Sequence, residues 1–324
     1  MIKKSLLVSL IATTFAAQSS ALEVYGKANI SLNVNTESED LKEDKDVTEL
    51  NSNASRIGFK GSIDLGEGLE AIYKFEYETF VDDGAKSSKT ESGDDKYNKT
   101  FSQRNIAAGF KGAFGSIIAG KHDTPTKLAQ GKVDLFNDLP NADIKKLIEG
   151  ENRADNIIIY STPTMNGLKA SFAYIPDEKE SINSISSSSS IQYKENDLTL
   201  TIAHDDGTAI DSDIESLTRY VAEYKIGNLK IGAIVQNTDA VTEGEDEDAQ
   251  IVSLAYKASP KTTFKLQVGE SEVESTEKSQ GAFGIDYKLN KKSKLFAYYS
   301  NIETDKNDVD SNVSTIGAGY EIKF

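Results

Sequence analysis

Apolar and polar positions alternate with a period of two along most of this chain, in short runs broken by Gly, Asn, Asp and Pro. In residues 56–65, Ile57, Phe59, Ile63 and Leu65 share one face while Arg56, Lys60, Ser62 and Asp64 share the other. After Gly66-Glu67-Gly68, Leu69, Ala71, Tyr73, Phe75 and Tyr77 oppose Glu70, Lys74, Glu76 and Glu78 in the same way. Successive side chains of an extended strand point to opposite faces, so these two runs predict an antiparallel hairpin with one apolar and one wet face. The pattern returns in residues 167–174, 197–203, 228–235, 263–268 and 281–289. It closes in STIGAGYEIKF, where Tyr320, Ile322 and Phe324 oppose Gly319, Glu321 and Lys323.

The connections sort into two kinds. Seven are tight, at 66–68, 112–115, 163–167, 195–197, 226–228, 259–262 and 289–293. Eight are longer and polar, near 36–52, 82–99, 124–152, 177–185, 205–214, 239–248, 270–278 and 302–311. Together they join sixteen strands, with every tight turn at one end of the sheet and every long loop at the other. An even number of amphipathic strands so arranged predicts an all-β fold, a transmembrane antiparallel β-barrel, because lipid tolerates only a sheet whose edges are closed. Two segments do not yield to the pattern. Residues 104–120 carry small residues on both faces, which a subunit contact or a glycine-rich turn context explains equally well. The serine run at 186–190 becomes a strand by counting alone.

Composition narrows the class further. A formal charge of −16, from 36 basic and 52 acidic residues, excludes nucleic acid as a natural partner. The chain has no cysteine, hence no disulfide framework, thiolate metal site or lipidated cysteine. Its mean hydropathy of −0.44 suits a soluble protein, but also a strand wall with one polar face. At the N-terminus, Lys3 and Lys4 precede an apolar run over 6–17, and Ser19-x-Ala21 offers a cleavage site. Residues 1–21 therefore read as an export signal, followed by a barrel domain over 22–324. The apolar run is shorter than the roughly 20 residues that a membrane-spanning helix needs. Acidic clusters at 36–46, 242–248 and 304–310 read as loops.

The longest connection, 124–152, exceeds what a structureless loop usually reaches in a compact domain. Within it NADIKKLIEG predicts a short helix, with Asp143 near its N-cap, Ile144, Leu147 and Ile148 on one face and Gly150 at its end. That apolar face needs a surface to pack on, and the inside of a barrel offers one. Catalysis is not expected. The two histidines, His122 and His204, fall at strand ends and read as interfacial or loop residues rather than members of a hydrolytic constellation. GFKGAFG lies between strands and is no dinucleotide fingerprint, and the acidic clusters lack the spacing of an EF-hand loop. No cofactor and no resident metal are expected. Divalent cations between lipopolysaccharide and these loops, or a merely solvated charged surface, both remain open. The alternative from another class is a secreted or surface-bound β-rich adhesin. Its strands would alternate too, but its connections would not sort by length.

Five blocks carry a family resemblance: VYGKANISL at 24–32, SRIGFKGSIDLGEGLEAIYKFEYE at 55–78, RNIAAGFKGAFGSIIAGK at 104–121, RADNIIIYSTPTMNGLKASFAY at 153–174, and the terminal aromatic strand. They resemble the general trimeric porins of bacterial outer membranes. The resemblance implies a homotrimer of sixteen-stranded barrels held in outer-membrane lipid and lipopolysaccharide, each with an aqueous pore for small hydrophilic solutes and ions. It implies a third loop folded inward, with acids facing a cationic ladder on the wall. The matching ladder positions are Lys27, Arg56, Arg104 and Arg153; on the loop, Asp138 is the foremost acid, with Asp134 and Asp143 behind it. Period-two alternation separately puts Arg56 on the polar, inward face. The Pro-Glu-Phe-Gly-Gly run of better-known members is missing, which leaves the second acid of the constriction unassigned. Acids crowded into external loops, set against a cationic ladder, lead to an expected weak cation preference.

Overall fold

The computed structural model describes residues 22–39, 42–83, 100–176, 185–207, 210–211, 213–242, 245–273, 276–306 and 309–324; the export signal expected over 1–21 lies outside them. Strands follow one another in sequence order around a single antiparallel sheet that closes on itself. The first, β1 (Glu23–Glu39), pairs successively with β2 (Lys45–Ser52) and β3 (Arg56–Gly66). These two are halves of one stave, interrupted at 53–55, where Ala54 adopts a φ of 47°. The seventeen strand segments therefore make sixteen staves. The rest are β4 (Leu69–Thr79), β5 (Phe101–Gly112), β6 (Gly115–Asp123), β7 (Arg153–Ser161), β8 (Leu168–Pro176), β9 (Ile185–Glu195), β10 (Leu198–Asp206) and β11 (Ile214–Ile226). They continue with β12 (Leu229–Ala240), β13 (Glu247–Lys257), β14 (Thr262–Val273), β15 (Thr276–Lys288), β16 (Ser293–Lys306) and β17 (Val309–Lys323).

Closure joins β1 to β17, with Lys27 opposite Lys323 and Glu39 opposite Ser311. Gly26 and Phe324 exchange two backbone hydrogen bonds of 3.2 and 3.1 Å. The Phe324 ring lies over Gly26, and a β-carbon there would come within 2.2 Å of it, so a larger residue would push the terminal ring aside.

Burial is inverted relative to a soluble protein. Leu200, Ile202, Phe172, Tyr320, Ile322 and Phe324 are exposed on the outer surface, whereas Thr201, Gln267, Ser300 and Arg219 are buried inside. Such an arrangement suits a wall with lipid outside and water and protein within. The two segments that resisted the alternation now take their places. Ala108, Phe110, Ile117 and Ala119 face outward with Asn105 and Ala107 inward, and Ser186 and Ser188 are buried inside.

Several expected loops are shorter than the sequence suggested. The acidic stretch at 36–46 is largely strand, as β1 and β2 pair from Ile30–Ser52 out to Glu37–Lys45. β14 and β15 stay paired out to Val273–Thr276, and β16 and β17 out to Lys306–Val309. The backbone ladder needs no apolar side chains, so strands continue into water beyond the point where hydrophobic alternation stops.

The third connection folds inward and supplies the core. It contains α1 (Pro125–Ala129), which the sequence reading missed, and a 3-10 turn over Ile144–Lys146. The expected helix shrinks to this single turn because few residues separate Pro140 from Gly150, too few to offset the cost of a helix nucleus. Its apolar face behaves as expected. Ile144, Leu147 and Ile148 pack with Val133 against Ala203, Val221, Ile234 and Ile251 of the wall. Further along the loop, Phe136, Leu139 and Ala142 pack against Ala282, Phe296 and Tyr298.

Candidate functional site: the pore constriction

The loop reaches the wall at Asp138, whose positive φ of 69° is one that Asp tolerates better than most residues. Asp143 sets this turn. One of its oxygens accepts from the Asp138 backbone N–H at 2.7 Å and the other from that of Lys145 at 2.9 Å. Asp138 is thereby presented to β1 and β3. Its Oδ2 lies 2.8 Å from Lys27 Nζ and 2.7 Å from Arg56 Nη2. Lys27 and Arg56 are register partners on adjacent strands, so one carboxylate bridges two cations that would otherwise repel. Burial raises the Asp138 carboxyl, but Lys27, Arg56 and Arg104 outweigh it and hold the group below the ordinary carboxylate value.

The other ladder cations face the wall's own acids. Arg104 donates through Nε to Glu76 Oε1 at 3.1 Å and through Nη1 to Glu78 Oε2 at 3.2 Å. Glu76 also accepts from the Tyr25 hydroxyl at 2.8 Å and lies 3.4 Å from Lys74 and 3.7 Å from Arg56. Arg153 reaches Asp123 at 2.8 Å, and its Nε donates to Asn105 Oδ1 at 2.9 Å. Lys127 lies 3.7 Å from the same carboxylate. Counting these groups, Lys27, Arg56, Lys74, Arg104, Lys127 and Arg153 meet Glu76, Glu78, Asp123 and Asp138.

The three loop acids thus occupy different places. Asp138 faces the ladder. Asp143 is buried, only 2 % exposed, and serves as an internal cap of the loop rather than a wall of the pore. Asp134 turns its oxygens to the Phe136 backbone N–H at 3.0 Å and the Asn137 amide at 3.1 Å. Burial and the nearby Asp143 push its carboxyl well above the ordinary value. The acids that join Asp138 among the cations are Glu76 and Glu78, which the alternation places only on the polar face, and Asp123 at the end of β6.

A second group holds the loop from behind. Arg219, fully buried, reaches Glu151 at 2.7 Å, the Glu149 carbonyl at 2.7 Å, the Thr126 carbonyl at 3.3 Å and Gln236 Oε1 at 2.7 Å. Gln267 accepts from the Leu135 N–H at 2.9 Å and donates to the Ala142 carbonyl at 3.1 Å. Lys265 donates to the Leu135 carbonyl at 2.9 Å, with its ammonium 4.4 Å from the centre of the Phe136 ring. The loop is therefore a fixed partition inside the lumen. Towards the loop end a cavity of about 900 Å³ is bordered, among the described residues, by nine carboxylates and Lys278. Register puts Glu39 and Lys278 on the inward face with Gln236 and Ser271, and seven of the acids, from Asp248 to Asp310, on the outward face, so they form an acidic rim rather than a lumen lining.

Comparison with known proteins agrees with this geometry. Residues 5–308 match the Gram-negative porin family. The chain is 26% identical to outer membrane porin protein 32 of Delftia acidovorans over 83% of its own length and 70% of the relative's. Among solved structures, an anion-selective porin from Comamonas acidovorans superposes with a TM-score of 0.73 at 19% identity, covering 94% of this chain and all of that one. A trimer form of OmpT from Vibrio cholerae superposes with a TM-score of 0.62 at 16% identity, covering 95% of this chain and 100% of the other. Barrel, inward loop and family match converge: the chain belongs to the Gram-negative porins, β-barrel channel proteins of the outer membrane.

Proposed function

We propose that the protein passes small hydrophilic solutes and ions by diffusion, as a homotrimer, with a weak preference for cations, and that it is a channel rather than an enzyme. The observation that carries the reading is the bridge from Asp138 to Lys27 and Arg56, which sets a loop acid against the wall cations. Facing charges in a water-filled opening with low-dielectric walls choose ions by local potential. In this reading Lys27, Arg56, Arg104 and Arg153 with Asp138 form the selective element. Asp134 and Asp143 support the loop. Cation preference is assigned to the acidic rim at the loop end, whose carboxylates raise the cation concentration at the mouth ahead of the constriction. The trimer is supported by the outward small residues Ala108 and Ala119, which allow close approach of a second wall.

A second reading, anion preference, is favoured by one observation: six cations meet four carboxylates at the constriction. Reversal potentials in planar bilayers under a salt gradient decide between them. The expected sign is that of cations, with a magnitude that falls as salt rises and screening shortens. Conductance steps in groups of three are expected for a trimer. Folded protein without conductance above background would sink the channel reading, and an anionic reversal potential at low salt would replace the first reading with the second.

A further inference from the structure

At the turn end of the barrel the charge changes sign. A cleft of about 710 Å³ there is lined by Lys261, Lys288, Lys291, Lys292, Lys294 and Lys323, with only two carboxylates, Asp286 and Glu321. Both acids are already engaged. Asp286 lies 3.2 Å from Lys265 and 2.9 Å from Lys294, and Glu321 lies 3.0 Å from Lys323. Among the described residues, Lys288, Lys291 and Lys292 make no ion pair and are exposed, whereas Lys261 holds its ammonium 5.9 Å from the centre of the outward-facing Tyr287 ring. In register, Lys288 stands directly opposite Lys294, and Lys323 directly opposite Lys27. Lys294, Lys323 and Lys27 each have a carboxylate, so of these facing lysines Lys288 is the one left without a described anionic partner, beside the turn lysines Lys291 and Lys292.

Alternation identifies which side that partner approaches from. Tyr287, Leu295 and Ile322 are exposed on the outer face, so the neighbouring Lys288, Lys294 and Lys323 point into the lumen rather than toward lipid headgroups. The cleft also adjoins the constriction through the Lys27–Lys323 pair. Ammonium groups are mobile point charges that hold carboxylates and phosphates without a fixed geometry. Low-dielectric walls focus their field on whatever enters.

We propose that this cleft is a binding site for small multivalent anions, of the tricarboxylate or phosphate class, at the turn-side mouth of the channel, held by Lys288, Lys291 and Lys292. The proposal deepens the channel reading and rests on it. It gives the two mouths opposite tasks, cation enrichment at the loop end and anion capture at the turn end. Binding at so exposed a site is weak and screened by salt.

The test uses the full barrel in planar bilayers with citrate as the probe. The chain has no cysteine, so a single Thr304→Cys at the loop end, on the inward face opposite Lys278 and blocked by a bulky thiol reagent from one side, reports orientation. Citrate added on the turn side is expected to lower conductance at about a tenth of the concentration needed from the loop side. The combined K288Q, K291Q and K292Q variant, checked for folding by its electrophoretic mobility before and after heating, is expected to lose that difference. Titration calorimetry of citrate into detergent-solubilised protein reads the site without relying on conduction. Equal block from both sides, a sided block that survives in the variant, or the absence of lysine-dependent heat overturns the site. The first two leave the channel reading intact. A citrate effect that vanishes when phosphatidylglycerol is added to the bilayer also overturns it, because the lysines would then belong to lipid headgroups.

Discussion

Among single residues, Asp138 and Asp134 offer the sharpest contrast, since both are acids on the same loop. Asp138→Asn removes the carboxylate shared by Lys27 and Arg56 and should move reversal potentials toward anions at low salt. Asp134→Asn should leave them unchanged, because its oxygens serve the Phe136 N–H and Asn137, and an amide keeps one acceptor. The depressed carboxyl of Asp138 also fixes a pH dependence. A group whose folded pKa lies below its unfolded value contributes fully above the unfolded value, and that contribution fades as pH falls through the folded one. Single-channel current should therefore be steady from neutral pH to about 4 and become noisy only below that. Noise that grows between neutrality and about pH 5 would contradict the tether. Glu76 corrects a simpler expectation. Period-two alternation places it on the pore face, where lysine ought to be tolerated, but it is 4 % exposed among Tyr25, Arg56, Lys74 and Arg104. Glu76→Lys removes their shared anion and adds a cation, so a loss of about 3–5 kcal/mol is expected in urea unfolding followed by gel mobility.

In the proposed reading the third loop limits conduction, and Arg219 holds that loop to the wall. Replacing Arg219 by Met leaves Glu151 buried without its cation, a loss of about 3–5 kcal/mol that falls locally on the loop. The expected result is a noisier open channel whose barrel stays folded, read by electrophoretic mobility before and after heating; the double change with Glu151→Gln should restore much of the quiet. Strands such as β3, β4 and β17 were legible in the sequence because lipid on one side and water on the other impose a two-residue rhythm. The polar ends of β1, β2, β14 and β16 were not, since hydrogen bonds between strands ignore side-chain polarity. Asp138 was reached through the family resemblance alone, and the apolar face of Ile144, Leu147 and Ile148 through its spacing. Glu76 and Arg219 were hidden for a common reason. Every second residue of a barrel strand is polar, so alternation names the face, but which inward residues converge depends on the stagger between strands far apart in sequence.

At the scale of the whole molecule, the wall separates two solvents, and substitutions should sort by the side they face. Leu200→Lys places a cation on the outer face at mid-strand, at an expected cost of about 2–4 kcal/mol, read as lost insertion into liposomes. Insertion equal to that of the parent would mean that the outer face is not in contact with lipid. The seam between β1 and β17 carries a different consequence, one of timing. Its backbone bonds join Gly26 to Phe324, so the most distant partners in the sequence are the ones that complete the cylinder. Contacts of such long range form only after the entropy of ordering the intervening chain has been met, which makes assembly slow. Until then β1 and β17 each expose a row of unpaired amides and carbonyls, the arrangement that templates aggregation. The chain must therefore be sheltered in transit, and a copy lacking β17 should behave as a substrate for chaperones and proteases rather than as a smaller pore.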